Sequence, residues 1–119
     1  MTHSAKVKIF HNPRCTKSRQ TLALLTEQNI EPEIVEYLTT PPDKQTLDSI
    51  LTLLNLEPRQ LMRKHEKEYK EAGLDNPELS RDALIQGMVD NPKVIERPIV
   101  LSKGKAAIGR PPESVLDIL

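Results

Sequence analysis

"KVKIFHNPRCTKSRQTLALLTEQNIEPEIVEYL" runs from Lys6 to Leu38, and its reading decides the fold. The opening residues alternate and include β-branched side chains, which predicts a strand over Lys6–Phe10. Asn12 and Pro13 then give a helix start, a capping side chain followed by proline at the first helical position. This puts Cys15 in the first helical turn. The helix continues through Leu22, Leu24 and Leu25 and fades near Asn29. "EIVEYL", Glu33 to Leu38, reads as a second strand. Strand, helix and strand in so short a span form a βαβ unit, with parallel strands and a right-handed crossover.

Downstream, "TTPPDKQ" is a turn and helix entry. Leu47, Ile50, Leu51 and Leu54 recur at i, i+3, i+4 and i+7, the apolar stripe of an amphipathic helix. A further helix is expected over Arg59–Ala72, stopped by Gly73. There His65 shares a face with Leu61 and Tyr69 and reads as a packing position, and "KHEKEYKE" reads as a solvated face. Another helix starts at an N-cap on Ser80, buries Leu84, Ile85, Met88 and Val89, and ends at Asn91-Pro92. In "RPIVLSKGKAAIGR" the period returns to two: a strand over Pro98–Leu101, a tight turn in "SKGK" and a return strand in "KAAIG". Pro111 and Pro112 open a short last helix carrying Val115, Leu116, Ile118 and Leu119. The order is β-α-β, several helices, then β-β-α. That is an α/β fold, a thioredoxin-like mixed sheet, in a single domain spanning 1–119 with a helical insertion at about 43–90. No Gly/Ser-rich linker, repeat or low-complexity segment interrupts it.

The chain has 119 residues, enough for a real core without metal or disulfides. Seventeen basic residues balance seventeen acidic ones, which argues against a general nucleic-acid or membrane-surface binder and makes any use of charge local. "MTHSAKVKIF" holds no apolar run of signal-peptide length, and no stretch approaches the roughly 18 apolar residues of a spanning helix. The one cysteine cannot form an internal disulfide and, with three scattered histidines, makes no zinc cluster. The expectation is a reducing, cytoplasmic protein with no metal and no bound cofactor.

Most lone cysteines are small buried hydrophobes. Cys15 differs in position: it follows a strand, opens a helix and has polar or charged neighbours. A free thiol with pKa near 8.5 is only a few per cent thiolate at pH 7. Lowering it to about 6.5 makes roughly three-quarters thiolate and needs about 2.7 kcal/mol. A helix terminus supplies only ~0.3–1 kcal/mol, so a cation is required as well. Arg14, Lys17, Arg19 and His11 are the candidates. Position 18 is serine, so the motif is C-x-x-S and not the dithiol C-x-x-C. Phosphatase-type C-x5-R loops need arginine where Thr21 stands, and no P-loop or metal motif occurs.

Four segments in order, "HNPRCTKSRQTL", "LMRKHEKEYKEAGL", "NPKVIERPIV" and "IGRPPESVLDIL", resemble the glutaredoxin-dependent arsenate reductases, most of all their YfgD-type branch. The resemblance covers nearly the whole chain. It implies a thioredoxin-like fold with a helical insertion and a cis bond before Pro98. It implies that Cys15 attacks arsenate, that glutathione then attacks the adduct as co-substrate, and that glutaredoxin completes the reduction to arsenite. It assigns assistance of the thiolate to His11 and oxyanion binding to Arg63, Arg97 and Arg110. One departure is that Thr16-Lys17 stand where characterised members carry Gly-Thr, so a positive φ after the thiol would be obstructed.

Two other functions compete. Spx-type regulators share the fold and bind RNA polymerase without catalysis, but commonly carry C-x-x-C as a redox switch, and Ser18 argues against that. A glutathione-linked monothiol protein acting on mixed disulfides is compatible with C-x-x-S.

Overall fold

A computed structural model describes Val7–Leu119; Lys6, expected to begin the first strand, and the residues before it lie outside the described part. The described chain falls into two compact units, one of residues up to Thr40 together with Arg97–Leu119, the other Pro41–Glu96.

The first unit contains β1 (Val7–His11), α1 (Thr16–Glu27), β2 (Glu33–Glu36), β3 (Ile99–Ser102), β4 (Lys105–Ile108) and a 3-10 helix over Pro112–Ile118. The strands form one mixed sheet in the order β2-β1-β3-β4. β1 runs parallel to β2, as a βαβ unit requires, and antiparallel to β3, while β3 and β4 form the hairpin. This is a thioredoxin-like fold. In register, Ile9 sits beside Ile34 and Val100, and Val100 beside Ala107, so these four share one face of the sheet. α1 and the C-terminal 3-10 helix cover the β1, β3 and β4 part of that face, while Ile34 on the edge strand stays 49% exposed. The core there is Val7, Ile9, Leu25, Val100 and Val115, with Leu22, Ile30, Ala107, Ile118 and Leu119 packed around it.

A short polar residue closes α1. Beyond the Gln28 C-cap of α1, Asn29 turns the chain at φ 62°, with Ile30 N–H bonded to Leu25 C=O at 3.0 Å and Asn29 N–H to Thr26 C=O at 2.9 Å. This is a Schellman closure, with Ile30 and Leu25 as its apolar pair. It explains why the helix stops where its apolar period fades. The hairpin turn places Lys103 at φ 54° and Gly104 at φ 72°, the two positive φ values of a type I′ turn.

The second unit contains α2 (Lys44–Leu54), α3 (Lys67–Glu71) and α4 (Arg81–Asp90), with 3-10 helices over Pro58–Leu61 and Pro92–Val94. Asp43 caps α2 by accepting Thr46 N–H at 2.8 Å, and Ser80 caps α4 by accepting Ala83 N–H at 3.1 Å. Leu47, Ile50 and Leu51 of α2 are buried, as are Leu84, Ile85 and Met88 of α4; Val89 is only half-buried.

The expected helix over Arg59–Ala72 does not form as one element. After the 3-10 helix, Met62 turns extended and bridges Ile95 in antiparallel fashion. Glu96 N–H bonds Leu61 C=O at 2.8 Å and Arg63 N–H bonds Val94 C=O at 2.6 Å. These long-range backbone bonds take the groups a continuous helix would have used, so tertiary pairing overrides the helical spacing. The helix resumes only at α3. His65 consequently leaves the Leu61–Tyr69 face and is 70% exposed, which corrects its reading as a packing residue.

Candidate active site

The site begins where β1 ends. Asn12 side-chain Oδ1 accepts Arg14 N–H at 3.0 Å, and its carbonyl accepts Cys15 N–H at 3.0 Å. Asn12 and Pro13 therefore shape the turn ahead of the helix. Cys15 itself is the N-cap of α1, with extended backbone at φ −95° and ψ 124°. The expectation of Cys15 within the first turn is corrected by this: Asn12 spends its side chain on the turn, and the helix starts later, at Thr16. Thr16 is already helical and is not among the described non-glycine residues with positive φ. The backbone after the thiol thus makes no demand that only glycine could meet.

Burial pushes the Cys15 thiol up, but several groups act the other way and the net shift is downward. The Ser18 backbone N–H is directed at Sγ, without closing into a regular cap bond. Arg97 hydrogen-bonds the sulfur, and the charges of Arg97 and Arg110 favour the thiolate. Arg110 Nη2 lies 3.5 Å from Sγ, and its Nε donates to the Arg97 carbonyl at 2.8 Å. The thiol is half-buried, so it combines reach with stabilisation.

The cations that act on the thiol are not its sequence neighbours. Arg14 and Lys17 are exposed. Arg19 is turned back, with Nη1 on the Pro13 carbonyl at 3.0 Å and Nη2 near Thr16 Oγ1 at 3.4 Å. Arg97 and Arg110 come instead from the two ends of the β3–β4 hairpin. Pairing of Ile99 with Ile108 holds those ends together, and Gly109 N–H closes on the Pro98 carbonyl at 2.9 Å. The Arg97–Pro98 bond is cis, as is Arg110–Pro111. Gly109 fits where a Cβ would strike the Thr21 side chain and come within 2.8 Å of the Pro98 ring.

His11 is buried at the end of β1 and does not bond the sulfur among the described contacts. Its Nδ1 pairs with Ser18 Oγ at 2.6 Å, and the same oxygen accepts Asn12 N–H at 3.0 Å. Burial holds the imidazole below its ordinary range; Glu36 opposes this and Arg19 adds to it. A neutral His11 thus braces Ser18, which faces Cys15. Spacing alone used Ser18 only to exclude a dithiol. Its position at N3, three residues after an N-cap, is the signal that could have shown its role.

Arg63 lies in the second unit. Its Nη2 donates to His65 Nε2 at 2.9 Å and stands 3.5 Å from Glu66 Oε2. Its Nε and Nη1 are buried without hydrogen-bond partners among the described residues. Among those residues, no group of three His, Cys, Asp or Glu side chains could hold a metal ion, and no helix is long and apolar enough to cross a membrane.

The chain is similar to known proteins over nearly its full length. The protein YfgD of Escherichia coli (strain K12) is 58% identical over 115 residues, covering 96% of this chain and 97% of its own. An arsenate reductase of Neisseria meningitidis serogroup A is 52% identical, covering 96% of this chain and 98% of its own. The solved structure of an arsenate reductase from Vibrio cholerae superimposes with a TM-score of 0.94 at 49% identity, over 98% of this chain and all of that one. The ArsC family profile matches residues 10–118, and with relatives this similar over nearly the full length, the chain belongs to the ArsC family.

Proposed function

We propose that this chain reduces arsenate to arsenite through Cys15, with glutathione and glutaredoxin as reductants in the cytoplasm. The observation that carries the reading is the half-buried Cys15 Sγ at the mouth of α1, with the Arg110 guanidinium 3.5 Å away and Arg97 on the same sulfur. Relatives at 52% and 46% identity that carry the name arsenate reductase support it. The thiolate attacks arsenic, and one arsenate oxygen takes up a proton from solvent and leaves as water, forming a thiol–arsenate adduct. Glutathione attacks next: arsenic(V) takes two electrons and leaves as arsenite, and Cys15 and glutathione end joined as a mixed disulfide. Glutaredoxin removes the glutathione and restores the thiol. An external thiol is required because the chain has one cysteine.

Two anions repel as the thiolate meets arsenate, so cations must offset the repulsion in the transition state. Arginine suits this task, because its planar fork bonds two oxygens and stays charged when partly desolvated. Arg97 and Arg110 take that part. Arg63 is the third arginine of the reading, assigned to the oxyanion by the resemblance of "LMRKHEKEYKEAGL" to the family's segment. His11 and Ser18 hold the thiolate in position.

An Spx-type switch would need a second cysteine where Ser18 stands, and Ser18 is fully buried and already bonded to His11 and Asn12. The test is arsenate-dependent NADPH consumption with glutathione, glutaredoxin and glutathione reductase supplied. The expected result is turnover that disappears in Cys15→Ser. Glutathione exchange at Cys15 without arsenate turnover would replace this reading with that of a monothiol redox protein.

A further inference from the structure

We propose that Arg14 and Lys17 form a recruiting rim for the carboxylates of glutathione as its thiol approaches Cys15. The inference rests on the reading that an external thiol resolves Cys15.

Both side chains flank the thiol in sequence and both are exposed. Neither takes part in an ion pair or side-chain hydrogen bond among the described residues, whereas Arg19 is folded back onto the Pro13 carbonyl. Neither figures among the charges that stabilise the thiolate; Arg97 and Arg110 do that. Two unpaired cations are thus kept beside the nucleophile in a chain whose net charge is zero. Chain connectivity alone keeps their Cα atoms within about 7.6 Å of that of Cys15. At low ionic strength, where the Debye length reaches about 30 Å, charges on side chains rooted this near act on an anion approaching the thiol.

The occupant follows from charge and chemistry. Whatever reacts with the Cys15 adduct must bring a thiol, and a rim of cations selects one that also carries negative charge. Glutathione has two carboxylates and a net negative charge near neutral pH. Steering of this kind acts on association rate and fades with salt.

The test needs no arsenate, so it stands apart from the oxyanion reading. Cys15 is converted to its 2-thiopyridyl disulfide with the uncharged dipyridyl disulfide. An incoming thiolate then forms a new S–S bond to Sγ and expels thiopyridone, which is followed by absorbance. Glutathione, uncharged 2-mercaptoethanol and cationic cysteamine are compared on the wild type and on Arg14→Gln/Lys17→Gln. The variant-to-wild-type ratio for each thiol cancels intrinsic nucleophilicity. At low ionic strength the double variant should lose about five- to tenfold in rate with glutathione, keep its rate with 2-mercaptoethanol and gain with cysteamine. Raising salt should bring the wild type down to the variant with glutathione. Equal losses with all three thiols would make the pair structural and overturn the proposal. Unchanged glutathione exchange in the double variant would overturn it too. Absence of arsenate turnover alongside the expected thiol discrimination would leave the rim in place and remove only the oxyanion reading.

Discussion

At the scale of single residues, two titrating groups define the site. Arg97 and Arg110 should hold the Cys15 thiolate, so its absorbance midpoint should lie below the ordinary thiol range and rise in Arg97→Ala or Arg110→Ala. A midpoint unmoved by both changes would remove the arginines from that role. The same shift enters stability. A thiol whose pKa is lowered on folding contributes nothing below its folded pKa. Its contribution grows as pH rises through the interval up to the unfolded value of about 8.5, and is complete above it. Wild type should therefore gain on Cys15→Ser across that interval in denaturation experiments. His11 behaves in the opposite sense. Its folded pKa is lowered by burial, so the unfolded chain binds the proton first as pH falls below about 6.5. Stability should drop through that range down to the folded pKa, and the drop should be absent in His11→Gln. Ser18→Ala would strand the buried Asn12 N–H and the His11 ring, costing about 1–3 kcal/mol by chemical denaturation.

At the scale of elements, the site depends on how closely α1 approaches the end of the hairpin. Gly109 marks that approach, since a side chain there meets Thr21 of α1 and the Pro98 ring. Thr21 is fully buried and bonds the Lys17 carbonyl at 2.8 Å, so it cannot swing away without losing that bond. Gly109→Ala should therefore destabilise the fold by about 1–3 kcal/mol, the ordinary cost of overpacking. Because Arg110 follows directly, the thiolate midpoint should rise in the same variant. Thermal unfolding and thiolate absorbance measure both, and an unperturbed midpoint would show that the Arg110 position does not depend on this contact.

At the scale of the molecule, the sequence is electrically neutral, so the proposed reading draws on local charge alone. Under the proposed reading, arsenate stabilises the whole chain by mass action, about 2.7 kcal/mol when present at a hundred times its dissociation constant. Arg63→Ala, Arg97→Ala and Arg110→Ala should each reduce that stabilisation. Each should also cost roughly 2.7–4 kcal/mol in the barrier to turnover, by analogy with other oxyanion donors, with Arg→Lys recovering only part. Thermal shifts with arsenate and kcat/KM in the coupled assay are the readouts. Full activity in the triple alanine variant would sink the assignment of all three.

Local pattern was enough for the parts whose causes are local. The alternation of Val7 and Ile9, the Ser80 cap, the stop at Gly73 and the turn at Lys103-Gly104 each depend on a few adjacent residues, and all are visible in the chain. So is the βαβ order, which with the final hairpin gives the fold. Tertiary structure decided what depends on distant segments meeting. The helix expected over Arg59–Ala72 is broken by backbone bonds to Val94 and Ile95, and nothing in its own apolar spacing records their arrival. Spacing around Cys15 points to Arg14, Lys17, Arg19 and His11, while the cations on the sulfur are Arg97 and Arg110. Resemblance, and not spacing, singles out those two. The reason is geometric: neighbours on an exposed helix start point outward to water, whereas strand pairing carries residues far along the chain to the thiol.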